Sequence, residues 1–378
     1  MEFRDLKKQY TMLEKDINCA IQKVMQDANF IMGKQVEQLE EELATYVGSK
    51  NCITCANGTD ALQLALMAWN IGQGDAVFVP DFTFFSSGEV VALQNATPVF
   101  VDVSEETFNI DPEALEKKIE SVQKEGILTP KAIVAVDLFG RPADYKKIIN
   151  IANKHHLLIL EDGAQGFGGS IDGKMACGFG NIGTTSFFPA KPLGCYGDGG
   201  AIFTNDSDVA ELLKSFRIHG KGNGKYDNVR VGINSRLDTL QAAILQIKLR
   251  EFQERELLAV QQIAEDYSSR LKNITKVPIL EKGVKSSWAQ YTIILEDQKA
   301  RDGLKKFLGE KQIPSMVYYP KPMHRQQAFS IHKYEEKDFT ITNKLCETVL
   351  SLPMHPYMES KDIEYVCKAV IEYCSKPM

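Results

Sequence analysis

Two ionisable side chains occupy the places where a protein built of alternating strands and helices collects its ligands. Asp162 closes the run 157–161, whose first four residues are apolar, and Lys191 lies just past a second segment of strand character, 184–188. In an open parallel sheet, ligands gather at the carboxyl ends of strands. A lysine is normally a surface residue. Lys191 instead lies between Phe187 and Phe188 on one side and a glycine turn, Gly194 to Gly200, on the other. An amine acts as a nucleophile only when it is uncharged, and apolar or cationic surroundings favour that state. Asp162 taken alone also suits a capping or solvated aspartate.

A third feature is Gly58-Thr59-Asp60, directly before the apolar helical run 61–66. Glycine and threonine there are helix-start signals. Cys52 and Cys55 form a C-x-x-C pair, but no second pair follows at a zinc-like spacing and no thioredoxin-type context surrounds it. Both are expected to be buried strand residues, and no metal site is expected.

The elements that must position these residues follow from hydrophobic period. Helical patterns cover residues 3–26 and 34–46. Strands at 76–79, 98–101, 132–136 and 157–160 alternate with helices at 112–124 and 145–154. Continuous apolar strands in such a rhythm indicate an α/β fold with a mostly parallel sheet between helices. The Gly-rich stretch 219–228 predicts a loop. A long helical stretch, 239–271, leads to a part with fewer strands and a terminal helix at 362–373. The expected division is a large domain, 1–245, and a small C-terminal α/β domain, 246–378.

Composition narrows the function. A chain of 378 residues exceeds what one compact core usually organises. With 44% hydrophobic and 25% charged residues it is of ordinary globular type. A net charge of −6 argues against general nucleic-acid or membrane binding. No apolar run is long enough for a membrane helix, and the first five residues lack a signal-peptide layout. The 8 scattered cysteines suit a reducing, cytoplasmic setting.

Several short motifs in order carry a resemblance. Glu161-Asp162-Gly163-Ala164-Gln165, the stretch Ser186-Phe187-Phe188-Pro189-Ala190-Lys191 and Gly197-Asp198-Gly199-Gly200-Ala201 are similar to those of the DegT/DnrJ/EryC1/StrS aminotransferases, pyridoxal-phosphate enzymes of fold type I. Gly58-Thr59-Asp60, Asn234-Ser235-Arg236-Leu237-Asp238 and Tyr318-Tyr319-Pro320-Lys321-Pro322-Met323-His324 extend the match over nearly the whole chain. The fold implied is that of fold type I, with a large sheet of the seven-stranded type.

The resemblance implies a role for each matching position. Lys191 would hold the cofactor aldehyde as a Schiff base and, once released, move the substrate proton. Asp162 would pair with the cofactor's ring nitrogen and keep it protonated. Gln165 would lie by the ring and its phenolic oxygen, or serve a structural hydrogen bond. Gly58, Thr59 and Asp60 at a helix start, with Ser186, would hold the phosphate; Ser186 also suits a strand end with no ligand. Phe84 would stack on the ring, although core packing is the alternative and Phe82 or Phe85 could be confused with it.

Asn234 would reach the phosphate of the other subunit, which makes each site a product of a homodimer. Arg236 and Lys221 could meet a nucleotide diphosphate or a sugar carboxylate, or be solvated or structural. Tyr318, Tyr319 and His324 would border the sugar, with a structural histidine as the alternative.

The implied reaction is transfer of an amino group from L-glutamate to a keto sugar carried by a nucleotide. The run 186–196 looks closest to members acting on UDP-2-acetamido-2-deoxy-3-oxo-glucuronate. A 4-oxo-6-deoxy sugar is the near alternative, and both serve surface polysaccharide or glycoconjugate assembly. Two further readings are a dehydratase, whose relatives carry histidine where Lys191 stands, and a non-catalytic cofactor-binding regulator.

Overall fold

The computed structural model describes residues 1–224, 226–330 and 334–375. Lys225 of the expected glycine loop lies outside them. Helices α1 (Leu6–Asp27) and α2 (Lys34–Val47) open the chain. The alternation then runs β1 (Asn51–Cys55), α3 (Gly58–Ala68), β2 (Asp75–Pro80), α4 (Ser86–Leu93), β3 (Thr97–Val101), α5 (Pro112–Glu125), β4 (Thr129–Val136), α6 (Tyr145–His155) and β5 (Leu158–Asp162). A short hairpin, β6 (Ser170–Ile171) and β7 (Lys174–Met175), precedes β8 (Ile182–Ser186), β9 (Gly200–Thr204) and α7 (Ser207–Phe216).

Seven of these strands form one sheet in the order β1-β9-β8-β5-β4-β2-β3. Only β9 runs against its neighbours. Both faces are covered, which is why strands such as β2 and β4 read as unbroken apolar runs. One face builds a core around Ile53, Val79, Val134 and Ile202. The other face packs Phe78, Ile133 and Ile159 against α5 and α6. Cys52 and Cys55 are buried in β1, and all eight cysteines are free.

Helix starts follow from side-chain caps. The carboxylates of Asp5, Asp111, Asp144 and Asp206 each accept a backbone N–H of the first turn of α1, α5, α6 and α7. The expected helix 239–271 is α8 (Thr239–Glu251), a π turn (Phe252–Glu256) and α9 (Leu257–Leu271) in one continuous run. Position 245, the expected division, lies inside α8. Packing changes further on: Leu249 and Phe252 pack with Phe167 and Phe203, whereas Val260 onward packs with Tyr291 and Leu350. Beyond lie β10 (Val284–Lys285), β11 (Tyr291–Ile294), α10 (Gln298–Glu310), α11 (Thr340–Thr348), β12 (Val349–Leu352) and α12 (Ser360–Cys374). Strands β11 and β12 pair antiparallel under these helices.

One expected strand is displaced. Segment 184–188 was to be the strand before Lys191, but β8 spans Ile182–Ser186. Gly183 fits the sheet only because it has no side chain: a Cβ there would come within 2.0 Å of the Cys177 carbonyl oxygen. The strand is therefore invisible as an apolar run, and Phe187 onward belongs to the turn that carries Lys191.

Candidate active site

The sheet registers assemble the site. Along one edge Cys55 pairs with Gly200 and Gly200 with Ser186. Beside them Val136 pairs with Asp162 and Asp162 with Thr184. The carboxyl ends of β1, β4, β5 and β8 thus meet the start of β9, at the strand ends where a parallel sheet binds ligands.

Asp162 is buried at the end of β5. The Ser87 hydroxyl donates to its Oδ2 at 2.8 Å, and the Ala164 amide to its Oδ1 at 3.2 Å. Burial holds its carboxyl above the usual range, against the pull of Ser87, Ala164 and the charge of Lys191. No cation of a described residue hydrogen-bonds to it. A buried carboxylate is costly unless a cation pairs with it, and Asp162 suits a ligand that brings one.

Lys191 follows β8 on a turn closed by its own amide donating to the Phe188 carbonyl at 2.8 Å. Gly194 permits that turn: a Cβ there would lie 2.5 Å from the Pro189 carbonyl oxygen. Burial lowers the pKa of the Lys191 amine; Asp162 raises it and Arg4 lowers it further. The net direction favours a neutral, nucleophilic amine.

Gly58 is the first residue of α3, and its N-cap is Asn57, whose side chain accepts the Asp60 amide at 2.8 Å. The Gly58 and Thr59 amides lie at the open end of the helix, where N–H groups lack intrahelical partners. The Thr59 hydroxyl sits 2.8 Å from the Ser86 hydroxyl. A Cβ on Gly58 would fall 2.6 Å from the Ser186 Cβ, so the helix start and Ser186 share one small cup. Donor amides and three hydroxyls suit a phosphate dianion.

The aromatic residues separate clearly. Phe82 is 1% exposed and packs against Phe108, Phe139 and Tyr319. Phe85 lies 5.3 Å from Phe329. Phe84 is 53% exposed, with its ring 6.3 Å from Tyr319, and has a face to offer a ligand. Gln165 accepts the Phe139 amide at 2.6 Å and donates to the Tyr319 hydroxyl at 3.0 Å. It is a strut between Tyr319 and the strand ends. Tyr318, partly exposed, sits 5.8 Å from Tyr319.

Asn234 is exposed and Arg236 partly exposed. The backbone of Asn234 pairs with Ile218 and that of Lys221 with Asn228, and the residue after Asn234, Ser235, accepts the Ala56 amide at 3.0 Å just beyond the end of β1. His324 departs from the expected sugar contact. It is 8% exposed and stacks on Phe339 at 4.2 Å. Its Nδ1 is 2.6 Å and its amide 2.7 Å from the Asp81 carboxylate, and its Nε2 is 3.4 Å from Glu336. Both ring nitrogens are committed within the protein, and the residue is structural.

Sequence reading missed Ser87. Nothing in the helix-start pair Ser86-Ser87 signals that it reaches Asp162, 75 positions away, because only the sheet brings them together. It also missed Lys248, 2% exposed in α8, whose amine burial lowers to about 8.

The model of the DegT/DnrJ/EryC1/StrS aminotransferase family matches residues 11–371. The chain belongs to that family. One family member, the UDP-2-acetamido-2-deoxy-3-oxo-D-glucuronate aminotransferase of Pseudomonas aeruginosa, is 43% identical over 98% of this chain and 99% of its own. The crystal structure of a DegT/DnrJ/EryC1/StrS aminotransferase from Brucella abortus superposes with a TM-score of 0.97, at 48% identity and covering 100% of both chains. DesV of S. venezuelae, solved in complex with a ketimine intermediate, gives a TM-score of 0.94 at 33% identity, covering 100% of this chain and 99% of that one. The fold is that of these aminotransferases, with a large, mostly parallel central sheet, and the chain is an aminotransferase of the DegT/DnrJ/EryC1/StrS type.

Proposed function

We propose that this aminotransferase uses pyridoxal 5′-phosphate to move an amino group from L-glutamate to a UDP-linked 3-oxo sugar such as UDP-2-acetamido-2-deoxy-3-oxo-glucuronate. The observation that carries the reading is the pairing at the strand ends: a lysine amine favoured neutral and a buried carboxylate with no bonded cation. The cofactor fits the residues present. Gly58, Thr59 and Ser186 would hold its phosphate, Phe84 its ring face and Asp162 its ring nitrogen. When bound, it supplies an electron sink for the carbon that loses its proton. Lys191 binds the aldehyde and, when freed, carries the proton between carbons. Asp162 keeps the positive charge on the ring nitrogen, and Ser87 and Ala164 keep Asp162 oriented. Tyr319, braced by Gln165, walls the substrate side, with Tyr318 and Arg236 as further contacts.

The sugar assignment rests on the 43% identity to the glucuronate-type enzyme over almost the full length of both chains. A homodimer is supported by exposed Asn234 together with exposed apolar side chains nearby, Tyr226, Val229 and Val231. Asn234 would serve the partner's phosphate. Eight free cysteines and the absence, among the described residues, of any helix long and apolar enough to cross a membrane agree with a cytoplasmic role in polysaccharide precursor synthesis.

The test is incubation with L-glutamate and a set of UDP- and dTDP-linked 3-oxo and 4-oxo sugars, with mass spectrometry of the product. Amination of UDP 3-oxo sugars is expected. Preference for a 4-oxo-6-deoxy sugar would replace this acceptor, and failure to release 2-oxoglutarate would favour a dehydratase or a regulator.

A further inference from the structure

We infer that Arg4 is a positioning residue for Lys191: its guanidinium grips the lysine's own carbonyl and brings a positive charge to the turn from which the amine extends. The inference rests on the reading of Lys191 as the cofactor lysine.

The contact is direct. Arg4 Nη2 donates to the Lys191 carbonyl at 2.7 Å and to the Pro192 carbonyl at 3.2 Å. These bonds close the outer side of the turn whose inner side is the bond from the Lys191 amide to Phe188. The turn is therefore fixed from both sides, and the lysine side chain leaves it from one place.

Arg4 is itself anchored. The Asp5 carboxylate next to it caps α1 through the Lys8 amide at 2.8 Å. The Phe3 carbonyl accepts the Met354 amide at 3.3 Å, and the Phe3 ring meets Tyr318 edge-on at 6.3 Å. The Lys8 ammonium donates to the Tyr357 carbonyl at 3.0 Å. The segment is a strap from the Lys191 turn to the part of the chain that carries Tyr318.

The guanidinium bonds to two carbonyls and, among the described residues, to no carboxylate. Glu256 and Tyr357 act on Arg4 only through space. Glu256 is already engaged by the Gln9 amide group at 2.7 Å and by the Tyr357 hydroxyl. Three neighbours register the Arg4 charge, although Glu256 opposes it more strongly at Lys248 and Asp5 does so at His355. Burial is the largest cause lowering the pKa of Lys191, of Lys248 and of His355, and the Arg4 charge pushes each the same way. The groups facing the Lys191 amine are Asp162 from β5, which opposes the effect, and Arg4 from the strap. A like charge in a partly desolvated site disfavours the ammonium form, and only the neutral amine captures an aldehyde. Nothing local to Arg4 signals the contact, because a single arginine ordinarily reads as solvated.

The test is the rate at which cofactor-free protein captures pyridoxal phosphate, followed by absorbance across pH. Arg4→Gln keeps a donor for the carbonyls and loses the charge; Arg4→Lys keeps the charge and shortens the reach. Arg4→Gln is expected to move the midpoint of the pH profile upward and to slow capture several-fold near neutrality. Arg4→Lys is expected to stay near the wild-type midpoint. A wild-type midpoint for Arg4→Gln overturns the inference, as does an equal shift for both variants. Wild-type protein that captures no pyridoxal phosphate would instead sink the reading of Lys191.

Discussion

At the scale of residues, the site works through unequal burial of opposite charges. Asp162 has neutral donors, from Ser87 and Ala164, and no bonded cation. Its value to the reaction is its charge, so Asp162→Asn should still bind cofactor while the half-reaction with glutamate slows. The loss should be on the order of a hundredfold or more, the size met where proton transfer limits a rate. Stopped-flow absorbance checks this, and an unaltered rate would remove Asp162 from the ring nitrogen. His324 and Asp81 form the opposite kind of pair, buried and bonded to each other. The carboxyl of Asp81 is raised, chiefly by burial. The imidazole of His324 is also raised: burial is the largest single influence and opposes its charge, but the bonds and charges of Asp81 and Glu336 together outweigh it. Both groups hold protons more tightly folded than unfolded, so the folded state binds the extra proton and stability falls as pH rises. The His324 contribution is complete below the ordinary histidine value of 6.5 and is lost as pH climbs through its raised folded value. Urea unfolding of wild type and His324→Gln at several pH values should show a steeper decline for wild type over that interval. Equal slopes would mean that the pair does not titrate with folding.

At the scale of elements, the site depends on a helix start pressed against a strand end. In a helix, Gly→Ala ordinarily stabilises by about 1 kcal/mol. Gly58→Ala should do the reverse. Its Cβ would meet the Ser186 Cβ at 2.6 Å and force α3 away from β8. A cost of about 1–3 kcal/mol is expected for such overpacking, together with a clear loss of cofactor affinity, measured by denaturant unfolding and by equilibrium titration. A stabilised variant with unchanged affinity would refute the shared cup. The same elements show what could be read from the chain. Strands β2, β3, β4 and β5 were legible because burial on both faces leaves apolar runs. Strand β8 was legible only in part, offset by two residues, because Ile182-Gly183-Thr184-Thr185-Ser186 satisfies its position through close backbone approach and buried hydroxyls rather than hydrophobicity. Lys191 was legible from its aromatic and glycine neighbours. Ser87 and Arg4 were not, since each acts on a residue brought near only by the sheet or by the strap. His324 was misleading because its motif ends on a loop, whereas its partners Asp81 and Phe339 come from distant segments.

At the scale of the whole molecule, the account requires two chains. Asn234 is exposed, and the phosphate contact proposed for it is one made in a second copy. Mixing Lys191→Ala with Asn234→Ala and allowing subunits to exchange should therefore restore activity above either parent. A mixed dimer would gather both defects in one site and leave the other intact. Activity equal to the weighted parents would argue for sites complete within one chain. The most direct test of the central claim concerns which amine holds the cofactor. Lys248 is the natural rival, buried and lowered to about 8. Borohydride reduction of the cofactor-loaded protein, followed by digestion and peptide mass spectrometry, is expected to place the pyridoxyl group on Lys191 alone and to find none in Lys191→Ala. A label on Lys248 or any other lysine would contradict the account.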